Sequence, residues 1–143
     1  MSNQRLSKKD INDLVQFCKD VFPISPDFAE RCCVSSPPIT PCIRTYGIFQ
    51  NEILAAMMTA TYLFVMPCED SPNGRIVHIS GAYTKPEYRN LGYASELLGC
   101  IEYDAKNFFG ADYLCCDSIA NALYINNGFI FTSNDETRLW KKL

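Results

Sequence analysis

The 143-residue sequence contains one histidine, no C-x-x-C pair and no apolar run long enough to cross a bilayer. Each absence removes a class of protein. A structural zinc site needs closely spaced thiolate or imidazole ligands, and the eight cysteines at positions 18, 32, 33, 42, 68, 100, 115 and 116 lack that spacing. No metal site is expected. The vicinal pairs Cys32-Cys33 and Cys115-Cys116 are hard to bridge without distortion, so seven or eight buried, reduced thiols are expected, with a redox role as the alternative. The longest apolar stretch, Ile53 to Met66, has 14 residues and is interrupted by Thr59 and Thr61. A membrane span needs roughly 18. The first ten residues are polar, without the apolar core of a secretory signal. Together these readings predict a cytoplasmic protein with no membrane partner. A surplus of positive charge is missing too. Lys and Arg number 13 against 16 Asp and Glu, a net charge of −3, which argues against a protein that tracks a phosphate backbone and predicts no nucleic-acid partner.

What is present is ordinary globular composition, 48% hydrophobic and 20% charged, with neither repeats nor low-complexity tracts. A single domain over residues 1–143 is expected, and a chain of this mass buries roughly two-thirds of its unfolded surface.

From Ser7 to Phe22, Ile11, Leu14, Val15, Cys18, Val21 and Phe22 recur at helical spacing behind a Ser7 cap with Asp10 three residues on. Pro23 ends that run. A second short helix is predicted at Ser25-Pro26-Asp27, with serine as cap and proline in the first turn. Two strand-like runs, Ile43–Phe49 and Glu52–Val65, flank the turn Gln50-Asn51 and read as a hairpin whose second strand has room for a bulge. Arg75–Thr84 supplies a third strand of an antiparallel meander. The period then changes. Leu91, Ala94, Leu97, Leu98, Ile101, Ala105 and Phe108 mark one face of a long helix closed by Gly110. Asp112–Asp117 reads as a strand, Ser118–Asn127 as a helix ended by Gly128, and Phe129–Trp140 as two short strands around Ser133-Asn134-Asp135. This order predicts a mixed α/β (α+β) domain.

Chemistry concentrates where the third strand meets the long helix, from Tyr83 through Pro86-Glu87-Tyr88-Arg89-Asn90-Leu91-Gly92-Tyr93-Ala94-Ser95. At a helix N-terminus the first N–H groups lack intrahelical partners and the dipole is positive, so small residues there let a phosphate approach bare amides. Arg89 offers a charge-assisted bond. R-x-x-G-x-A alone is a weak pattern.

In this context the chain resembles the GCN5-related N-acetyltransferase (GNAT) family. Arg89-Asn90-Leu91-Gly92-Tyr93-Ala94 matches the family's acetyl-CoA motif, and Leu123-Tyr124-Ile125-Asn126-Asn127-Gly128-Phe129 matches its second signature about thirty residues downstream. The resemblance covers nearly the whole chain, although the family's first strand is barely visible before Ser7. It implies a mixed, mostly antiparallel sheet splayed between the strands ending near Thr84 and Asp117, flanked by about four helices, with acetyl-CoA in the gap. By the same resemblance the backbone at Ala82, Tyr83 and Thr84 meets pantetheine, and the amides of Leu91, Gly92, Tyr93, Ala94 and Ser95, with Arg89, hold the pyrophosphate. Tyr124 is the implied acid for the departing thiolate; its other reading is a half-buried helix tyrosine.

Transfer to an amine needs a base, because an alkylammonium with pKa about 10 is no nucleophile. Histone-acetylating relatives place a glutamate eleven residues before the motif, where this sequence has His78. An imidazole there serves directly or through water, or is a structural strand histidine. Glu52, Glu69 and Glu87 are weaker alternatives. Where many relatives carry a cofactor-contacting asparagine, this chain has Asp117. It accepts from a cofactor amide, attracts a cationic amine, or is a solvated strand end.

The expected activity is direct acetyl transfer from acetyl-CoA to a primary amine of a small molecule or peptide. Asp20, Asp27, Glu30, Glu69 and Asp70 on the acceptor side favour a cationic acceptor. The second reading is a CoA-binding sensor or interaction module without turnover. An acyl-enzyme on Cys115 or Cys116 is a variant of the first reading, and a homodimer is compatible with either.

Overall fold

The structure, a computed structural model, describes residues 2–118, 122–132 and 135–143, with no account of the side chains of residues 2, 3, 135 and 136. Its strands are β1 (Ser2–Arg5), β2 (Cys42–Gln50), β3 (Ile53–Phe64), β4 (Arg75–Thr84), β5 (Tyr113–Asp117), β6 (Ile130–Thr132) and β7 (Asp135–Lys142). They form one seven-stranded sheet in the order β1-β2-β3-β4-β5-β7-β6, antiparallel except for the β4–β5 pair. The helices are α1 (Ile11–Cys18), α2 (Pro26–Cys32), α3 (Tyr93–Asp104) and α4 (Ala122–Asn126). The expected mixed, mostly antiparallel sheet with four helices is what the chain forms.

Most local signals act as their chemistry predicts. The Ser7 backbone N–H donates to Asp10 Oδ2 at 2.8 Å, and the Ser25 hydroxyl accepts from the Phe28 N–H at 3.1 Å. The first helix is shorter than the Ser7–Phe22 periodicity predicts: Lys8–Asp10 is a 3-10 turn, and α1 ends at Cys18. The β2–β3 hairpin turns on Asn51 and Glu52, at φ 51° and 66°, the left-handed pair that matches strand twist. Ala55 is the expected bulge in β3, because Ile48 pairs with Ala56 and Phe49 with Leu54. The long helix ends early as well, with a π turn over Ala105–Phe109 closed by left-handed Gly110. Its predicted face loses both ends: Leu91 and Phe108 are exposed, while Leu97, Leu98, Ile101 and Ala105 are buried. Ser133 and Asn134, predicted as a turn, lie outside the described residues, as do 119–121 of the predicted Ser118–Asn127 helix.

Two cores form on opposite faces of the sheet. α3 covers one face with Ile48, Met58, Ile79, Leu114 and the α4 residue Tyr124, while α1 and α2 cover the other with Leu6, Leu54 and Met57. The thiols divide among these environments. All eight are free, but only Cys18, Cys32, Cys33 and Cys116 are buried; Cys42, Cys100 and Cys115 are half-buried, and Cys68 is exposed. The expectation of seven or eight buried thiols therefore fails: Cys42 starts β2, Cys68 lies in the 67–74 loop, and Cys100 in the middle of α3 and Cys115 in the middle of β5 are only half covered. No helix among the described residues is long and apolar enough to cross a membrane.

Inside the α3 core sits a polar chain. Tyr46 Oη donates to Asp104 Oδ2 at 2.6 Å and therefore accepts from Tyr62 Oη at 2.5 Å, while Arg5 Nη1 donates to both Asp104 oxygens at 3.0 and 2.9 Å. Burial drives both phenols far above the usual tyrosine range. Removing one partner leaves the others desolvated and unpaired. Asp104→Ala should lose about 3 kcal/mol. That is roughly 10 °C in the unfolding midpoint, measured by thermal denaturation.

Candidate active site

The β4 strand loses both neighbours' regular pairing near its end, and this opens the site. Met57 pairs with Tyr83 and Thr59 with Ser80, so Gly81 and Ala82 stand opposite Met58 in a bulge, with Gly81 at φ 58°. On the other side, pairing with β5 stops at Ile79 and Cys116, although β4 runs on to Thr84 and β5 to Asp117. The backbone of Ser80–Thr84 thus faces an opening instead of a strand. This is the expected splay.

Beyond β4, the Pro86–Tyr88 turn leads to Asn90 at φ 64° and Gly92 at φ 82°, which caps α3. Arg89 Nε donates to the Thr84 carbonyl at 3.0 Å, and its guanidinium lies 5.4 Å over the Tyr83 ring. The arginine fastens the turn to the strand end with one N–H and leaves its terminal N–H groups for a ligand. Tyr93 Oη donates to Gln50 Oε1 at 2.8 Å, and Asn127 Nδ2 donates to the Ser95 hydroxyl at 3.2 Å, so the first turn of α3 is braced from the hairpin and from α4. A Cβ built on Gly92 meets nothing within 4 Å. The orphan N–H groups around it therefore open onto free space, at the positive end of a 12-residue helix. That arrangement suits a phosphate group.

Tyr124 lies behind the opening, on the α3 side of the sheet. It is 6% exposed, its ring packs edge-on to Phe129 at 5.3 Å, and burial, then the neighbouring Cys116, pushes its phenol up to about 12. Among the described residues no partner meets its hydroxyl. A buried tyrosine hydroxyl usually has one, so this donor is available to a bound molecule.

His78 lies in front, on the opposite face of β4. Its Nε2 is 3.5 Å from Asp117 Oδ2, and Asp117 Oδ1 is 3.3 Å from Arg138 Nε. Both groups are substantially exposed, so the contacts orient more than they stabilise. With Asp70, Tyr113 and Trp140 they line a polar pocket of about 480 Å³. Sequence reasoning treated His78 as a base and Asp117 as a cofactor contact; the structure brings the two together in one pocket. It missed Tyr113, Arg138 and Trp140, which only strand register places there. Of the alternative bases, Glu52 is at the hairpin tip, Glu69 in the 67–74 loop and Glu87 in the turn before α3. None of the three lines the polar pocket.

Acid and base candidates thus occupy opposite faces of the sheet, and the opening beyond Ile79 and Cys116 is where one molecule can meet both. Cys115 and Cys116 are poorly placed as nucleophiles. Burial raises their thiols to about 11 and about 12, so both are protonated at neutral pH. Among the described residues no group of three or more His, Cys, Asp or Glu side chains is arranged to hold a metal ion.

Comparison with known proteins fits this geometry. The chain is similar in structure to a predicted acetyltransferase from Clostridium acetobutylicum with acetyl-CoA, at 19% identity and a TM-score of 0.73, covering 94% of this chain and 92% of that one. It is also similar to the PaiA N-acetyltransferase from Thermoplasma acidophilum in complex with coenzyme A, at 17% identity and a TM-score of 0.68 over 100% of both chains. Arabidopsis thaliana Naa50 in complex with a bisubstrate analogue, CoA-Ac-MVNAL, matches at 15% identity and a TM-score of 0.67, over 99% of this chain and 98% of that one. A search of curated protein sequences gave no match. At these identities the likeness is one of fold, but the sequence profile of the acetyltransferase (GNAT) family matches residues 9–129 directly. Carrying that profile match over most of its length, together with the splayed sheet and the open cradle before α3, the chain belongs to the acetyltransferase (GNAT) family.

Proposed function

We propose that the protein transfers the acetyl group of acetyl-CoA directly to a primary amine within a ternary complex. The observation that carries this reading is the open space at Gly92 beside the Ser80–Thr84 stretch, which has no strand partner on its β5 side, with a buried phenol that has no partner among the described residues on one side and an imidazole on the other. In this reading the amides of Leu91–Ser95 and the free N–H groups of Arg89 hold the pyrophosphate, and Ala82, Tyr83 and Thr84 meet the pantetheine amides. The Thr84 carbonyl already accepts from Arg89, so its remaining lone pair is the one available. The acceptor enters as an ammonium ion through the polar pocket, where Asp70 and Asp117 attract its charge. His78 takes one proton from it, directly or through water. The amine nitrogen then bonds to the thioester carbonyl and releases its second proton to water, the C–S bond breaks, and Tyr124 gives its proton to the departing thiolate and regains one from water, leaving an amide and CoA. Eight free thiols fit a reducing cytoplasm as the place of work.

The test is CoA release from acetyl-CoA with a panel of primary amines that includes diamines, lysine and short peptides, with the acetylated product identified by mass spectrometry. Direct transfer predicts product with no acetyl adduct on Cys115 or Cys116. Binding of acetyl-CoA without product from any amine would favour a CoA-binding module instead. His78→Gln is expected to lower kcat about tenfold to a hundredfold in the same assay. An unchanged kcat would assign the base elsewhere.

A further inference from the structure

A second cavity lies on the same face of the sheet as His78, on the other side of β4, and the proposed reaction leaves it unused. It measures about 200 Å³ and runs under α1 and α2 from Ser80 and Gly81 to Cys18, Cys32 and Ile43. Ser80 and Gly81 are exposed, Cys18 and Cys32 are fully buried, and Phe22, Ile24 and Ile43 between them are half-buried, so the cavity has a mouth at the β4 bulge and an apolar floor beneath the helices. Apart from the Ser80 hydroxyl at the mouth, the few polar side chains along it are turned to one another. The Thr45 and Thr59 hydroxyls bond each other at 2.9 Å, and the Cys18 thiol donates to Met57 Sδ at 3.5 Å. Beyond the mouth a polar ligand would find few partners, and a mostly apolar cavity of this kind takes up hydrocarbon in preference to water.

We propose that this cavity receives the acyl chain of the donor, so that the protein uses CoA thioesters with chains of about four to six carbons as well as acetyl-CoA. The proposal rests on the reading that pantetheine lies along residues 82–84, which ends one residue from the cavity mouth. At about 30 Å³ for a water-sized group, 200 Å³ holds roughly six such groups, and the methyl of an acetyl group leaves most of it empty. The charged amine has a separate polar route on the far side of Ser80, past His78 and Asp117. The two pockets thus divide the substrates by chemistry. The step itself is unchanged: the amine nitrogen bonds to the acyl carbon, the C–S bond breaks, and the thiolate takes the proton from Tyr124.

Affinities of acetyl-, butyryl- and hexanoyl-CoA, measured by calorimetry on the whole protein, test this without knowledge of the amine. Each methylene buried contributes up to about fourfold, so hexanoyl-CoA is expected to bind at least about tenfold more tightly than acetyl-CoA. Ile43→Trp, which adds bulk to the apolar wall away from Ser80, should bring the hexanoyl-to-acetyl ratio down to about one. Cys32→Met makes the same test if the tryptophan variant does not fold. Hexanoyl-CoA binding no tighter than acetyl-CoA would overturn the proposal while leaving acetyl transfer intact, and protection by hexylamine in that case would hand the cavity to the acceptor. Failure of every thioester to bind would overturn the underlying reading along with this one.

Discussion

Replacing Tyr124 by phenylalanine is expected to lower kcat about a hundredfold while leaving the affinity for acetyl-CoA within a factor of about two. General acids contribute roughly 10²–10⁴, and the lower end applies because a thiolate with pKa about 8.5 already leaves fairly well without help. Packing is not the confounding factor. Phenylalanine keeps the edge-on contact with Phe129, and the hydroxyl it removes has no partner among the described residues, so no hydrogen bond among them is lost. The sign of the pH effect follows from the same burial. A phenol pushed up to about 12 favours the protonated form, so the acid stays loaded through neutral and mildly alkaline pH. A wild-type decline in kcat near pH 8 that Tyr124→Phe abolishes would contradict this, as would a variant of full activity.

The second large effect is expected at Gly92. Glutamate there places a carboxylate among the amides assigned to the pyrophosphate, and acetyl-CoA affinity should fall by more than about a hundredfold in calorimetric titration. Two costs must be separated. At φ 82° any side chain strains the backbone by about 1–2 kcal/mol, which lowers stability without touching the ligand. Gly110 supplies the control. It also has positive φ, 69°, and open space around a built Cβ, but it closes the other end of the helical segment. Gly110→Ala should lose similar stability and keep acetyl-CoA binding. Equal loss of affinity in both variants would assign the effect to the helix as a whole and remove the cradle from the account.

The same elements show what a linear sequence conveys and what it cannot. Signals within a few residues were legible: the Ser25 cap, the hairpin around residue 51, β4 with both of its ends, and the Arg89–Ala94 turn, because local backbone chemistry fixes each. The left-handed conformation of Gly92 could not be read from the sequence, which shows glycine only as a residue small enough to admit a phosphate. Register was not legible. Whether His78 and Asp117 share a pocket depends on β4 and β5 pairing in parallel at Ile76 and Tyr113, across a crossover of about thirty residues. Arg138 and Trp140 reach that pocket only because β7 inserts between β5 and β6. The β1 strand was barely visible because four polar residues, Ser2–Arg5, carry no alternating pattern; it exists through pairing with Phe49 to Tyr46. Asp104 was read only as part of a helix, and its bond to Tyr46, 58 residues away, is what makes it a core residue. Helix ends were misjudged because apolar periodicity does not tell a regular α-helix from the turns that follow it, at Val21 beyond α1 and at Phe108 in the π turn, both of which are exposed.

The most direct test of the central claim, an acetyl-CoA site at the β4–α3 junction, is the thermal unfolding midpoint with and without acetyl-CoA at about 100 times its dissociation constant. Binding to the folded state alone contributes roughly 2.7 kcal/mol at that concentration. For a domain of this size the midpoint is expected to rise by about 5–10 °C in the wild type and in Gly110→Ala, and not in Gly92→Glu. No rise in the wild type, or an equal rise in Gly92→Glu, would contradict it.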